Sequence, residues 1–227
     1  MQIVEGVHRV DSASANMAHS NVYLIVDSSG LFVVDTGTGG NAKKTVEYIQ
    51  KIGHQPADVS AVILTHFHTD HTGSAKELKS LLPNAKVAAH EAEAPYISGT
   101  QPLPKSRNLM IRAVSGFIKP TPVPIDIALK DGDKIGPLTV IHTPGHTPGS
   151  IALLIHEKGV LFAGDTIRYD GKKVSGAPEN FSLDPQKVGE SIGKISKLNF
   201  NVLLPGHGEP LMPNASDAVR KFFELPH

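Results

Sequence analysis

The chain has no cysteine among its 227 residues. Disulfides, zinc knuckles, iron–sulfur clusters and thiol catalysis are therefore excluded. An excess of charge is missing too: Lys and Arg total 22 and Asp and Glu total 22, so the formal net charge is zero. A neutral chain gives no support to nucleic-acid or anionic-membrane binding, and the expected partner is a small-molecule substrate. No stretch reaches the roughly 20 apolar residues that cross a bilayer. The start, MQIVEGVHRV, has no basic segment followed by an apolar run, so no signal peptide is expected and the expected location is cytoplasmic. With 40% hydrophobic residues, the length suits one domain over 1–227 with a well-buried core.

Strands and helices are expected to alternate. NVYLIV (21–26) and LFVV (31–34) are β-branched apolar runs joined by DSSG, a hairpin signal. Their unbroken hydrophobicity suggests a sheet buried on both faces. A helix is expected near 42–52, with Val46, Ile49 and Ile52 on one face, and another over 74–82, with Ala75, Leu78, Leu81 and Leu82 as its stripe. Strand signals fall at 59–65, 86–89, 125–129, 138–142, 151–155, 160–163 and 202–204. Asp184-Pro185 reads as the start of a helix carrying Val188, Ile192, Ile195 and Leu198, and 215–225 as a closing helix. Residues 95–124 hold six prolines around a helix-like NLMIRAVSGF, either a surface insertion or a lid over a site. An echo links NVYLIVDSSGLFVVDTG (21–37) to SIALLIHEKGVLFAGDT (150–166) and suggests two similar halves.

Histidine, with 12 copies in all, concentrates in THFHTDH at 65–71, between an expected strand and an expected helix. His66 and His68 are two apart, so on an extended segment both point to one side and reach one ion. Asp70 and His71 follow on a turning loop and can aim at a second point nearby. Neutral imidazole and carboxylate are ligands for zinc and similar ions. Three further places follow apolar strands and pair glycine with His or Asp: TPGHTPGS with His146, FAGDT with Asp165, and LLPGHG with His207. Glycine lets the backbone turn sharply there. Histidines 8, 19, 54, 90, 142, 156 and 227 lack that context and read as surface or core, with His19 and His90 placed near enough to apolar segments to line a cleft.

THFHTDH, GHT, GDT and PGHG together resemble the metallo-β-lactamase fold superfamily, from Asp35 to His207. The resemblance implies an α/β protein, an αβ/βα four-layer sandwich of two mixed sheets with helices on the outer faces. It implies a dinuclear site: His66, His68 and His146 on one ion, Asp70, His71 and His207 on the other, and Asp165 bridging. Asp35 of VVDTG matches a position whose carboxylate orients ligand histidines. Two divalent ions, zinc first with iron or manganese as alternatives, lower the pKa of a shared water and stabilise an oxyanion. Asp70 is then the residue placed to hold the nucleophile and protonate the leaving group.

The lack of cysteine removes the Asp-Cys-His second site of one β-lactamase subclass, and Asp165 argues against the other classes. Glyoxalase II-type thioesterases share all seven ligands but carry a C-terminal glutathione-binding region, whereas 20 residues follow His207 here. Ribonuclease Z relatives carry a basic extension. Flavodiiron proteins have Glu where His68 stands. The expectation is a glyoxalase II-like or lactonase-like hydrolase of a small ester-type substrate, a lactone, a thioester or a related carbonyl or phosphoryl ester. A mononuclear-iron persulfide dioxygenase is the alternative; β-lactam hydrolase and nuclease rank lower. Lactonases of the fold use a tyrosine shortly after the bridging aspartate. Tyr169 lies four residues on, and Arg168 is an alternative contact for a carboxylate or phosphate. The oligomeric state is left open, with apolar residues of the insertion able to supply a homodimer contact.

Overall fold

The computed structural model describes residues 1–10, 20–105 and 121–225. The described chain forms two compact units, the first ending at Leu129 and the second running from Lys130, with a stretch at Leu103 grouped with the second. Each unit is a mixed β-sheet with its own helices, the α/β class expected of the sequence. No helix among the described residues is long and apolar enough to cross a membrane.

The first unit holds strands β1 (Gln2–Val4), β2 (Val7–Val10), β3 (Val22–Asp27), β4 (Gly30–Val34), β5 (Val59–Leu64), β6 (Lys86–His90) and β7 (Ile127–Leu129), side by side in that order. DSSG closes the β3–β4 hairpin as expected: Asp27 pairs with Gly30, and its Oδ1 accepts from the Ser29 N–H (2.9 Å) and hydroxyl (2.7 Å). From β4 onward the pairings are parallel, so each link must cross over the sheet. Helix α1 (Asn41–Lys51) joins β4 to β5, and α2 (Thr69–Thr72) with α3 (Ala75–Leu81) joins β5 to β6. A short α4 (Ala94–Ile97) follows β6.

Two helix faces differ from expectation. In α1 the buried positions are Asn41, Ala42, Thr45 and Ile49, while Val46 and Ile52 are only half-buried. Small Ala42 and polar Thr45 take the inner stripe because Thr45 satisfies its hydroxyl locally, on the Asn41 carbonyl at 3.1 Å. In α3, Ala75 and Leu78 are buried and Leu82 follows them inward, but Leu81 points to solvent. Of the 95–124 segment, the expected helix at NLMIRAVSGF lies outside the described residues. Its described ends meet, the Val123 N–H donating to the Ile97 carbonyl at 3.2 Å.

The second unit holds β8 (Lys134–Ile135), β9 (Leu138–His142), β10 (Ile151–Ile155), β11 (Val160–Gly164) and β14 (Val202–Pro205), in the order β14-β11-β10-β9-β8. A separate hairpin pairs β12 (Ile167–Tyr169) with β13 (Val174–Gly176). The β11–β14 pairing is parallel, and α5 (Pro185–Ser196) makes the crossover. Asp184 caps α5, accepting from the Lys187 N–H at 3.2 Å with Pro185 in the first turn. Val188, Ile192 and Ile195 of α5 and Val219 of α6 (Ala215–Glu224) pack on Leu154, Leu161 and Leu203 of the sheet. Truncating one such leucine to alanine costs about 2–5 kcal/mol.

Candidate metal centre

In the first unit, Asp35, the 65–71 loop and Glu93 follow the carboxyl ends of β4, β5 and β6, three adjacent parallel strands. Loops at that edge of a parallel sheet are the usual place for a ligand. His66 is buried, and His68, with extended backbone, starts the α2 turn, where its carbonyl accepts from the His71 (2.9 Å) and Thr72 (3.0 Å) N–H groups. That turn is tighter than a loop, and it folds His71 back so that its ring centroid lies 4.0 Å from that of His66. His66 Nε2 and His68 Nδ1 face each other at 3.0 Å. His71 Nε2 lies 3.6 Å from Asp70 Oδ2.

Hydrogen bonds fix which ring nitrogen points where. Asp35 is 2% exposed and adopts a left-handed φ of 59°, which aspartate tolerates better than most residues. Its Oδ2 meets His71 Nδ1 at 2.8 Å, so the ring donates there and keeps the Nε2 lone pair for the opposite side. Thr65 donates its N–H (2.8 Å) and hydroxyl (2.8 Å) to the same carboxylate. With its proton committed, the Thr65 oxygen accepts from His66 Nδ1 at 3.1 Å, leaving His66 Nε2 for the His68 side. One buried carboxylate thus orients two histidines, His71 directly and His66 through Thr65.

In the second unit, Asp165 and His207 follow the carboxyl ends of the parallel neighbours β11 and β14, and the Gly206 N–H donates to the Gly164 carbonyl at 2.6 Å. His146 sits in the β9–β10 link. Gly145 there has φ +133°, and a Cβ would stand 2.3 Å from the Val188 nitrogen of α5, so only glycine lets this link lie on the helix. The Ser191 hydroxyl holds the link by donating to the Pro144 carbonyl at 2.7 Å. Ser182 gives its hydroxyl proton to the Pro178 carbonyl (3.0 Å) and accepts from His146 Nδ1 (3.4 Å). His146 Nε2 then faces Asp165 Oδ2 at 3.5 Å, and His207 Nε2 stands at 3.5 Å from the same oxygen.

Arg168, on β12, donates an Nη to Asp165 Oδ2. Tyr169 is half-buried, and its carbonyl accepts the Glu209 N–H at 2.8 Å beside the loop that carries His207. Gly208 in that loop has φ +97°, and a Cβ would come within 2.1 Å of the Tyr169 oxygen. Among the other histidines, His8 is buried against Tyr48 and its pKa is lowered by loss of solvent, then by the N-terminal ammonium and His54; His90 is buried, and His19 and His227 lie outside the described residues.

The donor set fits divalent cations. Two donors on one tetrahedral ion, with bonds of about 2.0–2.1 Å, lie about 3.3 Å apart. The facing pairs within each unit lie at 3.0 to 3.6 Å, close to that value. The buried imidazoles of His66, His71 and His146, with Nδ1 held by Thr65, Asp35 and Ser182, are what such an ion needs. Thr65 and Ser182, which set two of the tautomers, were not singled out from the sequence. Thr65 was in view as the first residue of THFHTDH, whereas nothing local to Ser182 announces a partner 36 residues away.

The model of the Metallo-beta-lactamase superfamily matches residues 16–207. The probable metallo-hydrolase YflN of Bacillus subtilis (strain 168) is 29% identical over 234 residues, 92% of this chain and 86% of that one. YobT of the same bacterium is 30% identical over 151 residues, a match spanning 66% of this chain and only 63% of that protein. The acyl-coenzyme A thioesterase MBLAC2 of Homo sapiens is 28% identical over 245 residues, 89% of this chain and 79% of that one. Among solved structures, TTHA1623 in a di-iron-bound form matches with a TM-score of 0.68 and 27% identity, covering 87% of this chain and 91% of that one. The protein is a metal-dependent hydrolase by kind, and the chain belongs to the metallo-β-lactamase superfamily.

Proposed function

We propose that the two ligand sets serve one centre for two divalent cations, and that the enzyme hydrolyses a small ester-type substrate, a thioester or a lactone. In this assignment His66, His68 and His146 would hold one cation, Asp70, His71 and His207 the other, and Asp165 would belong to both. The observation that carries it is Asp165 Oδ2, 3.5 Å from Nε2 of both His146 and His207: one carboxylate oxygen between two imidazoles assigned to different cations. The family match supports it by spanning every residue named, and MBLAC2 supports a thioester by its name. Zinc is the first expectation; iron is favoured next by the di-iron form of TTHA1623.

Bound there, the cations supply a water that ionises near neutral pH and a positive field for an oxyanion. The chain supplies the rest. Asp35 and Thr65 hold His71 and His66 in the tautomers that keep Nε2 free. Asp70, whose side chain is 30% exposed, is open to substrate, takes the water's proton and returns it to the leaving thiolate or alkoxide. Tyr169 donates its hydroxyl to the substrate carbonyl oxygen. A neutral chain fits a small substrate rather than a polyanion.

Protein reloaded separately with zinc, iron(II) or manganese(II) is to be assayed on thioester, lactone and phosphoester panels. The expected result is hydrolysis of a thioester or lactone, reduced about 10²–10⁴-fold in Asp70→Asn. Oxygen uptake on a persulfide with one iron per chain, and no ester hydrolysis, would overturn the proposal.

A further inference from the structure

Glu93 is fully buried in the first unit, at 0% exposure, and is neither one of the assigned cation ligands nor a partner of Asp35. A carboxylate removed from water costs several kcal/mol unless strong donors meet it, so a buried one needs an account. Glu93 Oε2 accepts the N–H of Phe67 at 2.8 Å, and Phe67 is the residue between His66 and His68. That N–H belongs to a segment that is neither strand nor helix, so no sheet ladder or helix fixes it.

The turn that carries Glu93 is itself well held. The Glu93 N–H donates to the His90 carbonyl at 2.8 Å, at the end of β6, and the Glu93 carbonyl accepts from Tyr96 and Ile97 at 3.0 Å each, opening α4. Tyr96 reaches the side chain of the same residue: its ring meets the Phe67 ring edge-on, with centroids 5.4 Å apart. One short turn therefore grips both the backbone and the side chain of Phe67. The flanking His66 and His68 present facing nitrogens only while the peptide between them keeps its orientation.

We propose that Glu93 is a positioning residue for the His66–His68 pair, acting through the Phe67 N–H rather than by touching a cation or substrate. The inference rests on the assignment of His66 and His68 as cation ligands. Asp35 sets which nitrogen of His66 is free; Glu93 sets the direction in which His66 and His68 project. The two carboxylates control different degrees of freedom of one loop.

The test uses the full chain freed of metal and titrated with cobalt(II), with affinity read by competition against a chelator and coordination read from the visible absorption of the bound ion. Glu93→Leu removes the acceptor and is expected to weaken cobalt binding about 10–100-fold and to alter the absorption band. Glu93→Gln keeps an acceptor oxygen and is expected to stay within about threefold of wild type, which also answers a Glu93→Leu chain that fails to fold. The exposed Asp126→Asn variant is expected to bind as wild type, separating the effect from a general loss of negative charge. Melting of the metal-free forms is recorded alongside, since a structural role alone lowers the melting temperature and leaves affinity unchanged. Wild-type affinity in Glu93→Leu, or equal losses in Gln and Leu, would overturn the proposal. A wild-type chain that binds no cobalt would overturn the ligand assignment as well.

Discussion

The β3–β4 and β10–β11 hairpins, one in each unit, end alike and are used differently. Each is an antiparallel pair of apolar strands closing on Asp-Thr, and both aspartates are buried, Asp35 at 2% and Asp165 at 4% exposure. Asp35 meets the back nitrogen of an imidazole, His71 Nδ1 at 2.8 Å, within ordinary hydrogen-bond range. Asp165 faces front nitrogens, Nε2 of His146 and His207, at 3.5 Å, a spacing that leaves room for an ion to bind both groups. The same local motif thus yields an orienting carboxylate in one unit and, in the proposed assignment, a ligand carboxylate in the other. What differs is which edge of the neighbouring imidazole the turn presents.

The comparison breaks most severely at Asp165. Asp165→Ala removes the oxygen assigned to both cations, a loss of several kcal/mol that corresponds to an activity drop on the order of 10³-fold. Steady-state hydrolysis checks it, and activity within tenfold of wild type would remove the distinction between the two hairpins. Asp35→Asn is the milder counterpart. Asparagine accepts the same left-handed backbone, so the change isolates the carboxylate. Metal affinity is expected to fall about 10–100-fold with an unchanged circular dichroism spectrum.

Of the fold, the elements with a strong period were legible. The hairpin at DSSG, the cap at Asp184-Pro185 and the strands at 138–142 and 151–155 stand where the sequence puts them. The β12–β13 hairpin was not legible, because IRY and VSG are three residues each and carry no alternation long enough to read. Leu81 misled because a helical stripe shows spacing, not where the helix stops facing the core. Of the residues proposed as ligands, His66, His68, Asp70 and His71 are visible in the sequence as a cluster, and His146, Asp165 and His207 by their glycine turns. Glu93 was invisible, since a buried carboxylate on a turn looks in sequence like any solvated glutamate.

Smaller effects sharpen the comparison further. Gly208→Ala places a Cβ against the Tyr169 carbonyl at a φ of +97° and is expected to cost about 1–2 kcal/mol in a denaturant melt, with the loss local to the His207 loop. Gly40→Ala, with φ +93° but nothing within 4 Å, serves as the control for strain without a clash. The smallest effect is one of pH. Asp126 of the first unit is held below the usual carboxylate range by its bond to Lys79 of α3, against some burial, with help from the Val87 N–H. In the second unit burial pushes Asp131 up, but its bonds to Lys194 of α5 and the His142 N–H outweigh that and hold it low. A lowered carboxylate stabilises the fold above its ordinary value of 3.8 and loses that contribution as the pH falls through the folded-state value. Both pairs are partly exposed, so each is expected to contribute at most about 1 kcal/mol. Melting curves of Asp126→Asn and Asp131→Asn should converge on wild type below about pH 3 and separate from it above about pH 5.

The proposed two-cation centre sharing Asp165 is tested most directly by elemental analysis of protein purified without added metal or chelator. Two equivalents of zinc, iron or manganese are expected per wild-type chain, two weakly held in Asp35→Asn, and fewer than two in Asp165→Ala. One equivalent of iron in the wild type, unchanged by Asp165→Ala, would contradict it.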